Sequence, residues 1–266
     1  MPDPKSTSPV TAAYGGGTNS TAMLIGKVQR GEPVDLILFA DTGGERPGTY
    51  AYVELFSAWL VERGYPAIVT VRTVNRAGDV LNLESECLDN GRLPSLAYGF
   101  KKCSMKFKIR PQDKYVKAWR PAIAAWSAGR KVLRLVGFDA DEPQRAARQE
   151  AMVSDKWEWE HPLIEWGWGR EECIEAIELA GLPQPGKSSC FFCPSMKARE
   201  IIQLGESHPD LLERAIAIER AAATNNRGSI VGLGRDWTWE SVIKADRDQL
   251  RLFRRPPSTA CGCYDG

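Results

Sequence analysis

Long apolar runs are missing from this 266-residue chain. No stretch of about 18 or more apolar residues occurs, which excludes a membrane-spanning helix as a reading. Histidine is scarce. His161 and His208 each precede a proline and have no metal-ligand spacing between them, so a histidine-based metal centre is not indicated. Net charge is nearly absent at +1, so overall charge announces no nucleic-acid partner. The opening MPDPKSTSPV has neither the basic start nor the apolar stretch of a signal peptide and reads as a loose arm. No internal repeat is visible. Cysteine is present seven times, an odd number in a chain that reads as cytoplasmic, which argues against a disulfide framework.

What is present is enough apolar surface to fold. The hydrophobic fraction is 43%, with nine tryptophans, so neither a metal nor a crosslink is needed to complete a core. Strand and helix patterns alternate from the start: strands over Val10–Tyr14, Val34–Ala40 and Ala67–Arg72, helices over Asn19–Gln29 and Gly48–Arg63. This βαβαβ order predicts a parallel sheet in an α/β fold. Further on, the patterns predict helices over Asp79–Asn90 and Asp113–Ala128, a long loop over Gly91–Pro111, and a strand over Lys131–Val136 ending in Gly137-Phe138-Asp139. A helix over Glu142–Val153 follows, then an extended His161–Ile164, then a helix over Arg170–Ala180. Leu182–Pro194 reads as a structured loop. Helices over Lys197–Leu204 and Pro209–Ala223 give a helical C-terminal part, followed by a Gly- and Pro-interrupted remainder. The domain reading is an arm over 1–9, a nucleotide-binding α/β domain over 10–180, and a cysteine loop, helical part and tail over 181–266.

Local charge says more than net charge. Residues 101–120 hold eight basic side chains and one acidic. Lys244, Arg247, Arg251, Arg254 and Arg255 form a second cluster. A solvated face explains such runs more simply than a phosphate-binding surface, and both readings stand.

Tyr14–Ser20 reads YGGGTNS, directly after a strand and at the start of a helix. Glycines there let backbone N–H groups approach an anion, and the helix N-terminus adds unpaired donors and a favourable dipole. A tight turn with a capped helix explains the same residues equally well. The loop is not a Walker A sequence, because no Gly-Lys-Ser/Thr follows.

The segment resembles the PP-loop, S-G-G-x-D-S, of the ATP-pyrophosphatase and phosphoadenylyl-sulfate reductase superfamily. The pattern falls on Gly15, Gly16, Gly17, Thr18, Asn19 and Ser20, with Gly15 in place of the first Ser and Asn19 in place of the Asp. Phe39-Ala40-Asp41-Thr42-Gly43 is similar to the family's second-strand Asp-Thr-Gly motif. Cys103–Pro111 resembles its Cys…Lys-x-x-Pro segment, Leu135–Arg145 its Gly-Ile-Arg-x-Asp-Glu element, and His161-Pro-Leu-Ile164 its Asn-Pro-Leu-Ile. The resemblance runs from Ala12 to Pro194 in the same order. It implies a three-layer parallel sheet of the adenine nucleotide α-hydrolase-like type. It also implies ATP held by Gly15–Ser20, Asp41, Thr42 and Gly137, with Asp41, Lys106 and Arg145 as catalytic candidates. Lys108 and Arg110 could also neutralise phosphate charge. Asp139, Asp141 and Glu142 stand where Mg²⁺ or substrate would be contacted, and equally where helix N-terminal acids belong. Trp157, Trp159, Trp166 and Trp168 read first as packing, with at most one stacking on a base.

Cys87 and Cys173 fall in helices and read as buried thiols. Cys103, Cys190, Cys193, Cys261 and Cys263 fall in loops. Ser189–Pro194 is a C-x-x-C, and Cys103 sits among Lys101, Lys102 and Lys106, which favour a thiolate. Cys103, Cys190 and Cys193, with Cys263 or Cys261, are candidate metal ligands. Zinc and a [4Fe-4S] cluster both accept four thiolates, and the resemblance favours the cluster.

Three functions are compatible with these features. The first is ATP-dependent adenylation of a nucleic acid or nucleotide-like acceptor followed by sulfur transfer, with an iron–sulfur cluster and a sulfur donor or electron-transfer partner. The second is reduction of adenylyl sulfate or its 3′-phospho form. Against it, Ala260-Cys261-Gly262-Cys263 lacks the Glu-Cys-Gly…His of the family reductases. The third is a non-catalytic nucleotide- or nucleic-acid-binding protein with a structural metal. On the cluster reading, protein purified without oxygen is expected to be brown, with about four irons and four sulfides per chain. One zinc and no colour would make the cysteines structural.

Overall fold

The computed structural model describes residues 8–150, 153–225 and 230–253. The elements in order are β1 (Val10–Tyr14), α1 (Thr18–Arg30), β2 (Leu36–Asp41), α2 (Pro47–Val61), β3 (Ile68–Arg72), α3 (Leu83–Asp89) and a 3₁₀ turn (Ser95–Tyr98). Next come α4 (Lys102–Ser104), a π-helical turn (Met105–Ile109), α5 (Arg110–Ala118), α6 (Arg120–Ser127), β4 (Val132–Val136), α7 (Pro143–Glu150) and β5 (Trp157–Glu160). The last are α8 (Pro162–Glu165), α9 (Arg170–Leu179), α10 (Ala198–Ser207), α11 (Pro209–Ala223) and α12 (Trp239–Phe253). They form two compact units. One runs to Leu83 and includes Cys103–Cys190; the other combines Glu84–Lys102 with the chain from Phe191 onward.

The first unit is built on a parallel five-stranded sheet in the order β3-β2-β1-β4-β5. Every residue of β2 is buried, which is why its sequence is an unbroken apolar run rather than an alternation. Strand periodicity sends its side chains to opposite faces. Ile37 and Phe39 join Tyr14, Met23, Ile25, Phe56 and Ile177 in one core. Leu36, Leu38 and Ala40 join Val71, Val116, Ala122 and Val132 in the other. Helices α1, α2 and α9 supply the first layer, and α5 and α6 the second. This is the three-layer α/β architecture that the resemblance implied, and α10–α12 supply the helical C-terminal part.

Several local expectations are corrected. Residues 161–164 are not extended: His161 caps a single helical turn whose Pro162 sits at its start, where a missing N–H costs nothing. The strand is the preceding Trp157–Glu160. The helix expected over Asp79–Asn90 is confined to Leu83–Asp89. The loop expected over Gly91–Pro111 is helical from Lys102 onward. The helix expected over Asp113–Ala128 is two. Pro121 would clash with the carbonyl of Lys117 in a continuous helix, so the chain turns extended at Trp119 (φ −79°, ψ 122°) and restarts with Pro121 in the first turn. The Gly- and Pro-interrupted remainder contains α12.

In the second unit Glu219 is buried on α11 and accepts the backbone N–H groups of Leu233 (2.7 Å) and Trp239 (3.0 Å). It thereby anchors the start of α12, whose Trp239 is fully buried. Arg214 Nε donates to Glu84 Oε1 at 2.8 Å, tying α11 to α3.

Gly26 lies where α1 meets the ring of Trp166, and a Cβ there would fall 2.2 Å from the ring. Trp166 is held in turn by Trp168 and by Arg30, whose guanidinium lies 3.9 Å from its ring centre. Gly26→Val is therefore expected to destabilise the protein by about 2 kcal/mol, since overpacking outweighs the gain in helix propensity. Urea unfolding should show a lower midpoint at unchanged slope.

Candidate nucleotide-binding site

In the order β3-β2-β1-β4-β5, chain progression reverses between β1 and β4. That is the topological switch point, and ligands of open α/β sheets bind there, at the carboxyl ends of the strands. The two segments that leave β1 and β4 at this edge are Gly15–Gly17 and Gly137–Asp139.

The loop after β1 turns through Gly16, whose φ of +72° favours glycine. Ser20 Oγ accepts the Gly15 N–H at 3.1 Å and donates to the Gly17 carbonyl at 3.2 Å, while Thr21 Oγ1 donates to the same carbonyl at 2.9 Å. These hydroxyls brace the loop from inside α1. The N-cap is Gly17, which offers no side-chain acceptor, and no acid stands in the first turn of α1. The first-turn N–H groups are left for an incoming acceptor, and the dipole there favours an anion.

Gly137 closes the other wall. A Cβ on it would lie 3.0 Å from the Ser20 nitrogen and 3.1 Å from the Asn19 carbonyl oxygen. Ser188 covers Gly17, where a Cβ would fall 2.5 Å from its Oγ. Asn19 Nδ2 donates to Asp139 Oδ2 at 2.7 Å, and Arg170 Nη1 donates to Asn19 Oδ1 at 3.3 Å. Ser188 and Arg170 gave no signal in sequence. Each is remote from the loop along the chain, Ser188 just before the C-x-x-C and Arg170 at the start of α9.

The remaining candidates are placed as follows. Asp41, fully buried, accepts the Gly43 N–H (2.7 Å), the Tyr50 hydroxyl (2.8 Å) and Arg72 through both Nε (2.7 Å) and Nη2 (2.6 Å). Burial and this carboxylate push the Tyr50 phenol well above its ordinary value. Thr42 Oγ1 lies 3.1 Å from Cys190 Sγ and 3.3 Å from Glu45 Oε1, and Lys108 pairs with the same carboxylate at 3.2 Å. Lys106 lies in the π-helical turn. Its carbonyl accepts the Thr73 hydroxyl, and its ammonium sits over the Phe107 ring. Arg145 is exposed, held by Glu142 (2.7 Å) and lying 4.3 Å from the centre of the Phe138 ring, which stacks on His161. Trp126 and Trp157 meet edge to face, as do Trp166 and Trp168, so packing accounts for these rings.

Cys87 and Cys173 are buried, and burial, with the Asp139 carboxylate adding to it, pushes the Cys173 thiol up to about 12. Cys190 is buried and Cys103 and Cys193 are half-buried, while Cys261 and Cys263 lie outside the described residues. Among the described residues no three His, Cys, Asp or Glu side chains are arranged to hold a metal ion. Among the described residues no helix is long and apolar enough to cross a membrane.

No protein-family model matches the sequence, and no curated protein matches it. Among solved structures the chain is similar to the U34-tRNA thiolase NcsA from Methanococcus maripaludis with its [4Fe-4S] cluster. The identity is 14% and the TM-score 0.42, over 98% of this chain and 80% of that one. So slight a likeness carries no residue roles across.

The geometry separates a structural carboxylate from a surface cation. Asp41→Ala strands a guanidinium, a phenol and an amide, and is expected to cost about 3 kcal/mol in chemical denaturation. Arg145→Ala, at an exposed pair, should cost less than about 1 kcal/mol.

Proposed function

We propose that the chain binds ATP with its phosphates on the start of α1 and uses it to activate an acceptor oxygen for replacement by sulfur. The observation that carries this reading is the uncapped, acid-free first turn of α1, walled by Gly137, at the switch point between β1 and β4. An acceptor oxygen would attack the α-phosphorus and release pyrophosphate, and a sulfur nucleophile would then displace AMP. The loop N–H groups bind and orient the phosphates and stabilise charge developing on pyrophosphate. Ser20 and Thr21 hold the loop in shape. Asp41 acts by positioning: its oxygens are engaged by Arg72, Tyr50 and the Gly43 amide, which fixes the end of β2 beside Thr42. Arg145, held over Phe138, and Lys106 are the cations assigned to phosphate or to a nucleic-acid acceptor.

Cys103, Cys190, Cys193 and Cys263 are the ligands that the sequence offers for a [4Fe-4S] cluster, which would supply a site for sulfur. Activation and displacement balance without it.

Isothermal titration with ATP, followed by assay for pyrophosphate in the presence of candidate acceptors, tests the reading. Wild-type protein is expected to bind ATP. Gly137→Val should weaken binding by about tenfold or more with circular dichroism unchanged, because its side chain displaces the backbone that meets the phosphates. Wild-type protein that binds no adenine nucleotide would sink the proposal.

A further inference from the structure

We propose that Asp139 holds the divalent cation accompanying the nucleotide's phosphates, and that uncharged Asn19 aims it. The assignment rests on the nucleotide reading of the same site, and it selects one of the three acids that follow β4. Asp141 is engaged, its Oδ2 accepting the Arg170 backbone N–H at 3.0 Å. Glu142 is engaged by Arg145 through both oxygens, at 2.9 and 2.7 Å. Asp139 alone is left half used. It is 5% exposed; its Oδ2 accepts from Asn19, and its Oδ1 is buried with no hydrogen-bond partner among the described residues.

A buried carboxylate oxygen without a partner is costly, and a cation or a water bound there would relieve that cost. Its position indicates which. Asp139 stands two residues past Gly137, whose backbone lies against the Asn19–Ser20 peptide, and its bond from Asn19 sets the carboxylate beside the first turn of α1. No acid of α1's own first turn competes for a cation there. Mg²⁺ bound with a nucleotide needs only one or two protein carboxylates, since phosphate oxygens and waters complete its shell.

Asn19 fits the aiming role in one orientation. Its nitrogen donates to Asp139 while its oxygen accepts from Arg170; the reverse would set oxygen against carboxylate and nitrogen against guanidinium. The amide keeps Oδ2 occupied, keeps Arg170 off the carboxylate, and leaves Oδ1 as the free ligand. An aspartate at position 19 would instead place two carboxylates in contact, and one would have to take up a proton.

The test is Mn²⁺ binding to the full chain by electron paramagnetic resonance, alone and with a non-hydrolysable ATP analogue, beside analogue binding in EDTA. Wild type should bind Mn²⁺ with the analogue, and Asp139→Asn should weaken this by about tenfold or more, since even outer-shell partners act on that scale. Binding of the analogue in EDTA should be retained. The exchanged variant Asn19→Asp/Asp139→Asn, which keeps one carboxylate and one amide in the pair, should recover Mn²⁺ binding and shows that the loss is not misfolding. Analogue binding without Mn²⁺ binding, or Mn²⁺ binding indifferent to Asp139→Asn, overturns this inference and leaves the nucleotide reading intact. Mn²⁺ binding that depends on Asp139 in a protein that binds no analogue supports the site and overturns the nucleotide reading.

Discussion

The segment after β4 and the beginning of α1 approach so closely that a methyl group between them would have to push one aside, and the rest of the candidate site follows from that contact. With glycine at 137 the backbone of one segment lies directly on the backbone of the other. The contact fixes where α1 starts relative to the sheet, and so where its unpaired N–H groups point. Gly16 lets the loop turn to reach that start, and Ser20 and Thr21 tie it back from within the helix. Gly17 caps α1 without filling the position that an acceptor would take. Larger side chains at 137 or 17 would meet Ser20 or Ser188. The cradle is therefore set by backbone proximity more than by functional groups.

Charge is distributed over this edge in a way that backbone alone cannot explain. Buried carboxylates need partners, and the three buried acids here have them to different degrees. Asp41 has an amide, a phenol and a bidentate guanidinium, and serves as a fixed joint at the end of β2. Glu45 has Lys108 and Thr42 on one oxygen, while the other has no hydrogen-bond partner among the described residues. Asp139 has Asn19 on one oxygen, while the second has no hydrogen-bond partner among the described residues. Placing the carboxylate after β4 leaves the helix start free of acids and still sets a carboxylate beside it.

The strands, the first helices and the loop glycines were legible because their signals are local. β2 reads as a buried run, and Gly31 closes α1 in a left-handed conformation (φ 64°). Failures came where a local signal had two meanings. Pro162 read as part of an extended segment and Pro121 as the interior of one long helix, yet each stands in the first turn of a helix, where a missing N–H is harmless. The basic stretch after Gly91 read as loop because lysine-rich sequence carries little apolar periodicity; only Phe107 and Pro111 are buried between Lys106 and Arg110–Pro111. Asp139 could be placed after a strand but not singled out from Asp141 and Glu142. That choice depends on Asn19, 120 residues away, and on two neighbours being occupied by Arg170 and Arg145. Ser188 and Arg170 reach the loop only through tertiary packing, which no spacing rule reports.

The same long-range packing bears on the cysteines. The loop after α9 sets Ser188 over Gly17 and, two residues later, Cys190 against Thr42. One short segment thus touches both the glycine loop after β1 and the polar end of β2. Thr42 is shared: its hydroxyl meets the sulfur, donates to Glu45 and accepts the Gly44 N–H. Buried polar groups held in such a network move together, since displacing one leaves its neighbours unsatisfied. A ligand on the glycine loop that displaced Ser188 would pull on Cys190, and a change at the Cys190 sulfur would be felt at Thr42 and Glu45. In sequence the C-x-x-C and the glycine loop are separate motifs more than 160 residues apart. In the fold Cys190 and Gly17 are joined by two residues of chain and one contact, that of Ser188 with Gly17, so the loop after β1 and this sulfur have a short path over which to act on each other.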